Sequence, residues 1–224
     1  MAVDSAALSQ GASNEVIHRL VARVVGHGAI AAPQPTRYET VVDVGCGKGA
    51  ASFHLTGGFA RYVGCDAFKY AGFPDAGWAS FVNANLDQMP YPLPDASADL
   101  VLAIEVIEHL ENPRGFVREL VRIVKPGGRL VITTPNQLSL LSKLTFLRRN
   151  QFNAFQEAPG LYPSHITALL EEDLIRIARE CHLTDISVHY TDHGRIPFTP
   201  RHWPSRFRGR AFSDNILVTG LRPL

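Results

Sequence analysis

Val41-Val42-Asp43-Val44-Gly45-Cys46-Gly47-Lys48-Gly49-Ala50 is a short apolar run that breaks into alternating glycines. The pattern predicts a buried strand over residues 40–44, a turn almost free of side chains, and a helix over 50–55. Glycine gives such a turn positive φ without a Cβ clash, and a bare backbone against which a ligand can lie. A nucleoside cofactor needs both. Gly45, Gly47 and Ala50 fit the G-x-G-x-x-G/A spacing of nucleotide-binding turns. A second apolar run, residues 61–65, ends in Asp66, about 20 residues further on, where a carboxylate can accept hydrogen bonds from both ribose hydroxyls.

The alternation continues outward from this unit. Residues 80–84, 100–104 and 129–134 are apolar runs suited to strands buried on both faces, and 185–190 and 215–221 are two later runs that can pair antiparallel. Helices separate most of them. Over 13–25, Val16, Ile17, Leu20, Val21, Val24 and Val25 recur at steps of three and four, with Asn14 or Ser13 as N-cap, which predicts an amphipathic covering helix. Residues 113–125 carry Phe116, Val117, Leu120, Val121 and Val124 on one face, and the helix is expected to close at Pro126-Gly127-Gly128. Residues 171–181 form another helix. Such alternation predicts an α/β fold: an open parallel sheet with helices on both faces, its strand tips aligned along one ligand-binding edge.

With 224 residues, 46% of them hydrophobic, the chain is long enough for one core and short for two. Residues 1–36 read as the covering helix and a connector at 28–37, and 37–224 as a single domain with insertions near 137–170 and 192–212 that suit a lid or a substrate site. Lys and Arg number 22 against 21 Asp and Glu, for a net charge of +1, so no global field draws DNA, RNA or an anionic membrane. The three cysteines, Cys46, Cys65 and Cys181, are odd in number and widely spaced. They suit reduced thiols in a cytoplasmic protein better than disulfides or a metal cluster, and no metal site is expected. Met1-Ala2-Val3-Asp4 opens no signal peptide, and no uncharged apolar run reaches the roughly 18 residues of a membrane span.

The glycine turn and Asp66 suit NAD and S-adenosylmethionine equally. Four further segments separate the two: Asn85-Leu86-Asp87-Gln88-Met89-Pro90; Asp99 to Leu110, ending Ile104-Glu105-Val106-Ile107-Glu108-His109-Leu110; Val124-Lys125-Pro126-Gly127-Gly128; and Thr133-Thr134-Pro135-Asn136. In this order they resemble the class I S-adenosylmethionine-dependent methyltransferase family, of the small-molecule type found in ubiquinone and polysaccharide pathways. The resemblance runs from residue 40 to about 136 and more weakly beyond. It implies a Rossmann-like, doubly wound, seven-stranded sheet, mostly parallel with a reversed last strand. It further implies that Gly45, Cys46, Gly47 and Gly49 meet the methionine part of the cofactor, with Asp43 orienting its ammonium and Asp66 holding its ribose. Asn85 and Leu86 would recognise the adenine, although relatives commonly carry aspartate where Asn85 stands. Ile104 and Glu105 would border the sulfonium and the acceptor.

A hydroxyl acceptor benefits from a general base, and histidine is the commonest one near neutral pH. His165 is the first candidate, because Tyr162-Pro163-Ser164-His165-Ile166 resembles a family segment that folds over the pocket; His109 is the second. The structural alternatives are a loop histidine capping the next helix for His165, and an exposed, self-capping helix start for Glu105, Glu108 and His109. Leu138, Leu140, Leu141, Leu144, Phe146 and Leu147 form an apolar stripe of the kind usually found in cores and lids. The loop over 192–212 sets Arg195, Arg201, Arg206, Arg208 and Arg210 among Phe198, Trp203 and Phe207, which suits an anionic or glycosylated acceptor. The expected activity is methyl transfer to a hydroxyl oxygen. The rivals are an NAD-dependent oxidoreductase and an inactive methyltransferase-like regulatory subunit.

Overall fold

A computed structural model describes residues 13–26, 38–157 and 164–224. The connector at 28–37, the opening residues, Pro159 and Tyr162-Pro163 lie outside the described residues. Seven strands form one sheet: β1 (Tyr38–Val44), β2 (Phe59–Asp66), β3 (Ala79–Asn83), β4 (Ala98–Ile104), β5 (Val124–Pro135), β6 (Thr184–Tyr190) and β7 (Asn215–Leu221). Their order is β3-β2-β1-β4-β5-β7-β6. β7 runs antiparallel to β5 and β6, and the other pairings are parallel. This is the doubly wound sheet with a reversed last strand. The chain builds outward from β1 to β3 and then returns to β4, so the crevice at the carboxyl ends of β1 and β4 is the switch point where ligands of such sheets bind.

Alternation along the strands divides the core in two. Val41, Leu100, Leu102, Val131 and Leu217 face one side, and Val42, Val101, Ala103, Leu130, Ile132 and Ile216 face the other. The first side is covered by α1 (Glu15–Val24), whose Ile17, Leu20 and Val21 are at most 5% exposed, each contributing about 1.5–3 kcal/mol by burial. Of the two N-cap candidates Asn14 serves, accepting from Val16 N at 3.0 Å. A short α2 (Ala50–His54) follows the glycine turn on this side. The second side is covered by α3 (Pro113–Ile123) and by a later helix, Glu171–Glu180, through Phe116, Leu120, Ile123, Leu174 and Ile177.

One expectation needs correction. The helix expected to reach Lys125 stops at Ile123, and Pro126-Gly127-Gly128 belongs to β5. Val124 pairs with Ala98, and Arg222 Nη1 donates to the carbonyls of Val121, Arg122 and Val124 at 3.0, 3.1 and 2.7 Å, so tertiary pairing ends the helix early. Of the two places such a stripe is usually found, core and lid, the stripe after β5 lies outside the core. Helix α4 (Leu140–Arg149) buries Ser142 and Thr145 and leaves Leu144, Phe146 and Leu147 at 38, 43 and 78% exposure. The later helix, Glu171–Glu180, is α5.

Candidate active site

β1 delivers the chain into the glycine turn, where Gly45, Gly47 and Gly49 adopt φ of 76°, 51° and 74°. The turn is held from β2. Asp66, the last residue of that strand and 7% exposed, accepts from Gly47 N at 2.8 Å through one oxygen and from Ala67 N at 2.7 Å through the other. Burial raises its carboxyl above the usual range, opposed by backbone hydrogen bonds from Gly47, Ala67 and Phe68. Three backbone donors against four lone-pair sites leave the carboxylate one acceptor position. Behind the turn Asp43 is 2% exposed, with Oδ2 accepting from the Tyr62 hydroxyl at 2.5 Å and Oδ1 without a protein partner. Burial pushes this carboxyl up to about 7. Cys46 is buried and its thiol is pushed far up, so it offers the site backbone rather than a thiolate.

Asn85 and Leu86 follow β3 at the same edge. Leu86 is buried, whereas the exposed Asn85 already accepts from Asp87 N at 3.0 Å, leaving its carbonyl one further lone pair. Ile104 ends β4, and Glu105 follows it at φ +55°. Thr133 Oγ1 at 2.9 Å and Asn215 Nδ2 at 2.7 Å both donate to the Glu105 carboxylate, while its own N–H donates to Thr133, so β5 and β7 impose the strained backbone. Burial pushes the Glu105 carboxyl up to about 7. All ten residues expected to hold the cofactor stand at the carboxyl ends of β1 to β4.

A second group lies beside them. After β4 a single 3-10 turn, Ile107–His109, carries Glu108 at 0% exposure, which overturns the exposed helix start. Glu108 Oε2 accepts from Thr134 Oγ1 at 3.0 Å, and Oε1 has no hydrogen-bond partner. Burial and the charge of Glu105 hold its carboxyl well above the ordinary carboxylate range. The N–H groups of Ile166 and Thr167 both donate to Glu108 O at 2.9 Å, stitching the 164–167 segment onto the turn. That stitch brings His165 edge-on to His109, with ring centroids 4.7 Å apart. His109 Nδ1 lies 2.6 Å from Ser164 O and His165 Nδ1 2.8 Å from Ala154 O. A carbonyl only accepts, so both Nδ1 atoms carry the proton and both Nε2 lone pairs are free. Burial lowers the pKa of His109, and it takes His165, with His109 nearby, down to about 4. His165 does not cap α5, whose first turn is closed by Asp173 accepting from Leu170 N.

The arginine loop is largely tied down. Arg195 pairs with Asp214 and Arg210 with Glu171, while Arg206 lies over Phe207 and Arg208 Nε donates to Ser205 O. Between this loop and α4 lies a cavity of about 260 Å³ lined by Arg148, Arg149, Asn153, Gln156, Arg195 and Phe198. The two insertions thus share one basic groove. Sequence reasoning missed Arg148 and Arg149 as members of it, and missed Tyr62, Thr133, Thr134 and Asn215, whose contacts join strands distant in sequence.

Residues 42–132 match the Methyltransferase domain family. A probable S-adenosylmethionine-dependent methyltransferase of Mycolicibacterium smegmatis is 34% identical over 105 residues, 44% of this chain and 39% of the relative. The mitochondrial ubiquinone biosynthesis O-methyltransferase of Dictyostelium discoideum is 34% identical over 116 residues, 45% of this chain and 36% of the relative. The chain thus spans less than half the length of these two relatives. In fold, an S-adenosylmethionine-dependent methyltransferase from Archaeoglobus fulgidus matches with a TM-score of 0.66 at 17% identity, covering 96% of each chain. The cradle fits the cofactor these proteins name: Asp43 Oδ1 is a buried acceptor with no partner, suited to an ammonium, and Asp66 keeps an acceptor position for a ribose hydroxyl. The choice left open by the glycine turn alone thereby falls to S-adenosylmethionine: residues 42–132 match a methyltransferase domain, and the chain is similar there to S-adenosylmethionine-dependent methyltransferases.

Proposed function

We propose that this protein transfers a methyl group to a hydroxyl oxygen of a small acceptor. The observation that carries the reading is the placement, at one sheet edge, of a glycine turn clasped by Asp66 next to two neutral imidazoles with free Nε2 atoms. S-adenosylmethionine, when bound, supplies an electrophilic methyl group. The turn at Gly45, Cys46, Gly47 and Gly49 and the carboxylate of Asp43 hold its amino-acid end, Asp66 its ribose, and Asn85 with Leu86 its adenine. Ile104 and Glu105 wall the reacting centre, so the protein contributes mainly position. An acceptor seated against His109 and His165 presents its hydroxyl to an Nε2 atom.

The O-methyltransferase named among the relatives supports oxygen as the target. The groove holding Arg148, Arg149 and Arg195 supports an anionic or glycosylated acceptor. A reducing, cytoplasmic setting fits three free cysteines, and among the described residues no helix is long and apolar enough to cross a membrane. Incubating the purified chain with methyl-labelled S-adenosylmethionine and a metabolite extract tests the activity, with mass spectrometry following the label. A hydroxylated metabolite that gains one labelled methyl supports the reading. Cofactor binding without any labelled product, across extracts, favours the regulatory alternative.

A further inference from the structure

We propose that Glu108, His109 and His165 form a binding site for one divalent transition-metal ion. One ligand atom from each lies within 4.8 Å of the other two, and small side-chain rotations shorten this to the roughly 4 Å that two ligands of one ion can span. Proximity alone carries little; the orientation of each group carries more. The Nδ1 atoms of both histidines are committed to backbone carbonyls, Ser164 O and Ala154 O, so that both Nε2 lone pairs are free. Anchoring one ring nitrogen to a carbonyl is how metal-ligating histidines have their tautomer and ring plane fixed.

Glu108 repeats the pattern. One oxygen is held by Thr134, while Oε1 is buried with no hydrogen-bond partner. His165 Nε2 is 4.0 Å from Oε1, beyond hydrogen-bond length, so the protein leaves this acceptor unsatisfied. A buried carboxylate oxygen without a partner is costly, and a cation among the three groups removes the cost. Glu105 does not compete, its carboxylate being engaged by Thr133 and Asn215. His109 is only partly buried, which leaves a way in.

Two imidazole nitrogens and one carboxylate oxygen suit zinc, iron(II), cobalt or manganese better than calcium. Three protein ligands leave coordination positions open, as in catalytic rather than structural sites. The inference also deepens the methyl-transfer reading, on which only this next step rests. An acceptor hydroxyl bound to the ion loses its proton to solvent more readily, and its oxygen then forms the new O–CH3 bond as the C–S bond breaks and the sulfur leaves neutral. With the ion bound, His109 and His165 serve as its ligands, and the ion takes over the activation of the hydroxyl that a free Nε2 atom performs without it.

Cobalt(II) titration of the chelator-treated protein tests the site, read by visible absorption and by metal-to-protein ratio. One equivalent is expected to bind the unaltered chain. Glu108→Gln and His165→Ala are expected to weaken binding by roughly 100-fold or more, since even outer partners of ligands are worth 10- to 100-fold. Circular dichroism confirms that each variant is folded, and the stoichiometry of the unaltered chain stands even if one is not. No stoichiometric cobalt on the unaltered chain, or equal affinity in both folded variants, overturns the proposal. Cobalt binding without methyl transfer upholds this site and counts only against the activity. Full methyl transfer by a chelated chain that binds no ion does the reverse.

Discussion

Gly45 and Val106 approach so closely that a Cβ on Gly45 would lie 2.2 Å from Val106 Cγ2. The second residue past the β4 tip therefore presses on the turn that follows β1. Gly45→Ala is expected to destabilise the protein by about 1–3 kcal/mol through overpacking, with about 1–2 kcal/mol more from the left-handed backbone. In a Val106→Ala background, which removes both Cγ atoms and leaves Cβ at 3.3 Å, most of the overpacking part is expected to be lost, and a double-mutant cycle in urea reads the difference. An equal cost in both backgrounds contradicts the contact.

The Gly47 N–H and the Ala67 N–H spend different oxygens of Asp66. Asp66→Asn keeps one acceptor and turns the other into a donor. Loss of a charge-assisted acceptor, about 1.5–3 kcal/mol, is expected to weaken S-adenosylmethionine binding about 10- to 100-fold by calorimetry. Unchanged affinity removes Asp66 from the site.

Asp43 links the site to pH. Burial, opposed by the Tyr62 hydrogen bond and reinforced by the Asp66 charge, sets its folded carboxyl to about 7. The unfolded value is about 3.9. Between the two, the folded state holds the extra proton, so the contribution of Asp43 to stability falls as pH climbs through that window. Asp43→Asn does not titrate. Its stability relative to the unaltered protein is expected to rise from about pH 4 to 7 and level off above, by denaturation at fixed temperature. Taking the difference cancels the opposite trend of His18 and His165, both with lowered pKa. A difference independent of pH contradicts the assignment.

Arg148 and Arg149 line the groove shared by the two insertions. Replacing both with alanine is expected to raise the acceptor KM about tenfold or more, the loss of one or two charge-assisted contacts, while leaving S-adenosylmethionine affinity unchanged. An unaltered KM assigns the groove to another purpose.

Much of this fold is legible in local sequence, because strands buried on both faces are short β-branched runs and the turn after β1 is marked by glycine. The error at Pro126-Gly127-Gly128 has a tertiary cause: Ala98 and Arg222, distant in sequence, claim the backbone there. The site divides along the same line. Gly45, Gly47 and Asp66 lie in a single strand-helix-strand unit and announce themselves. The burial of Glu108 and its conjunction with His165 depend on hydrogen bonds from Ile166 and Thr167 that no spacing rule contains. Likewise Glu105 reads as polar and exposed until Thr133 and Asn215 are placed against it.

The central claim is that the turn at Gly45 to Gly49 and the carboxylate of Asp66 hold the adenosyl cofactor. A crystal structure with S-adenosylhomocysteine tests it most directly. The ribose hydroxyls are expected on Asp66 and the amino-acid end over the glycine turn; a ligand bound elsewhere, or a crevice closed by the protein's own side chains, rules this out.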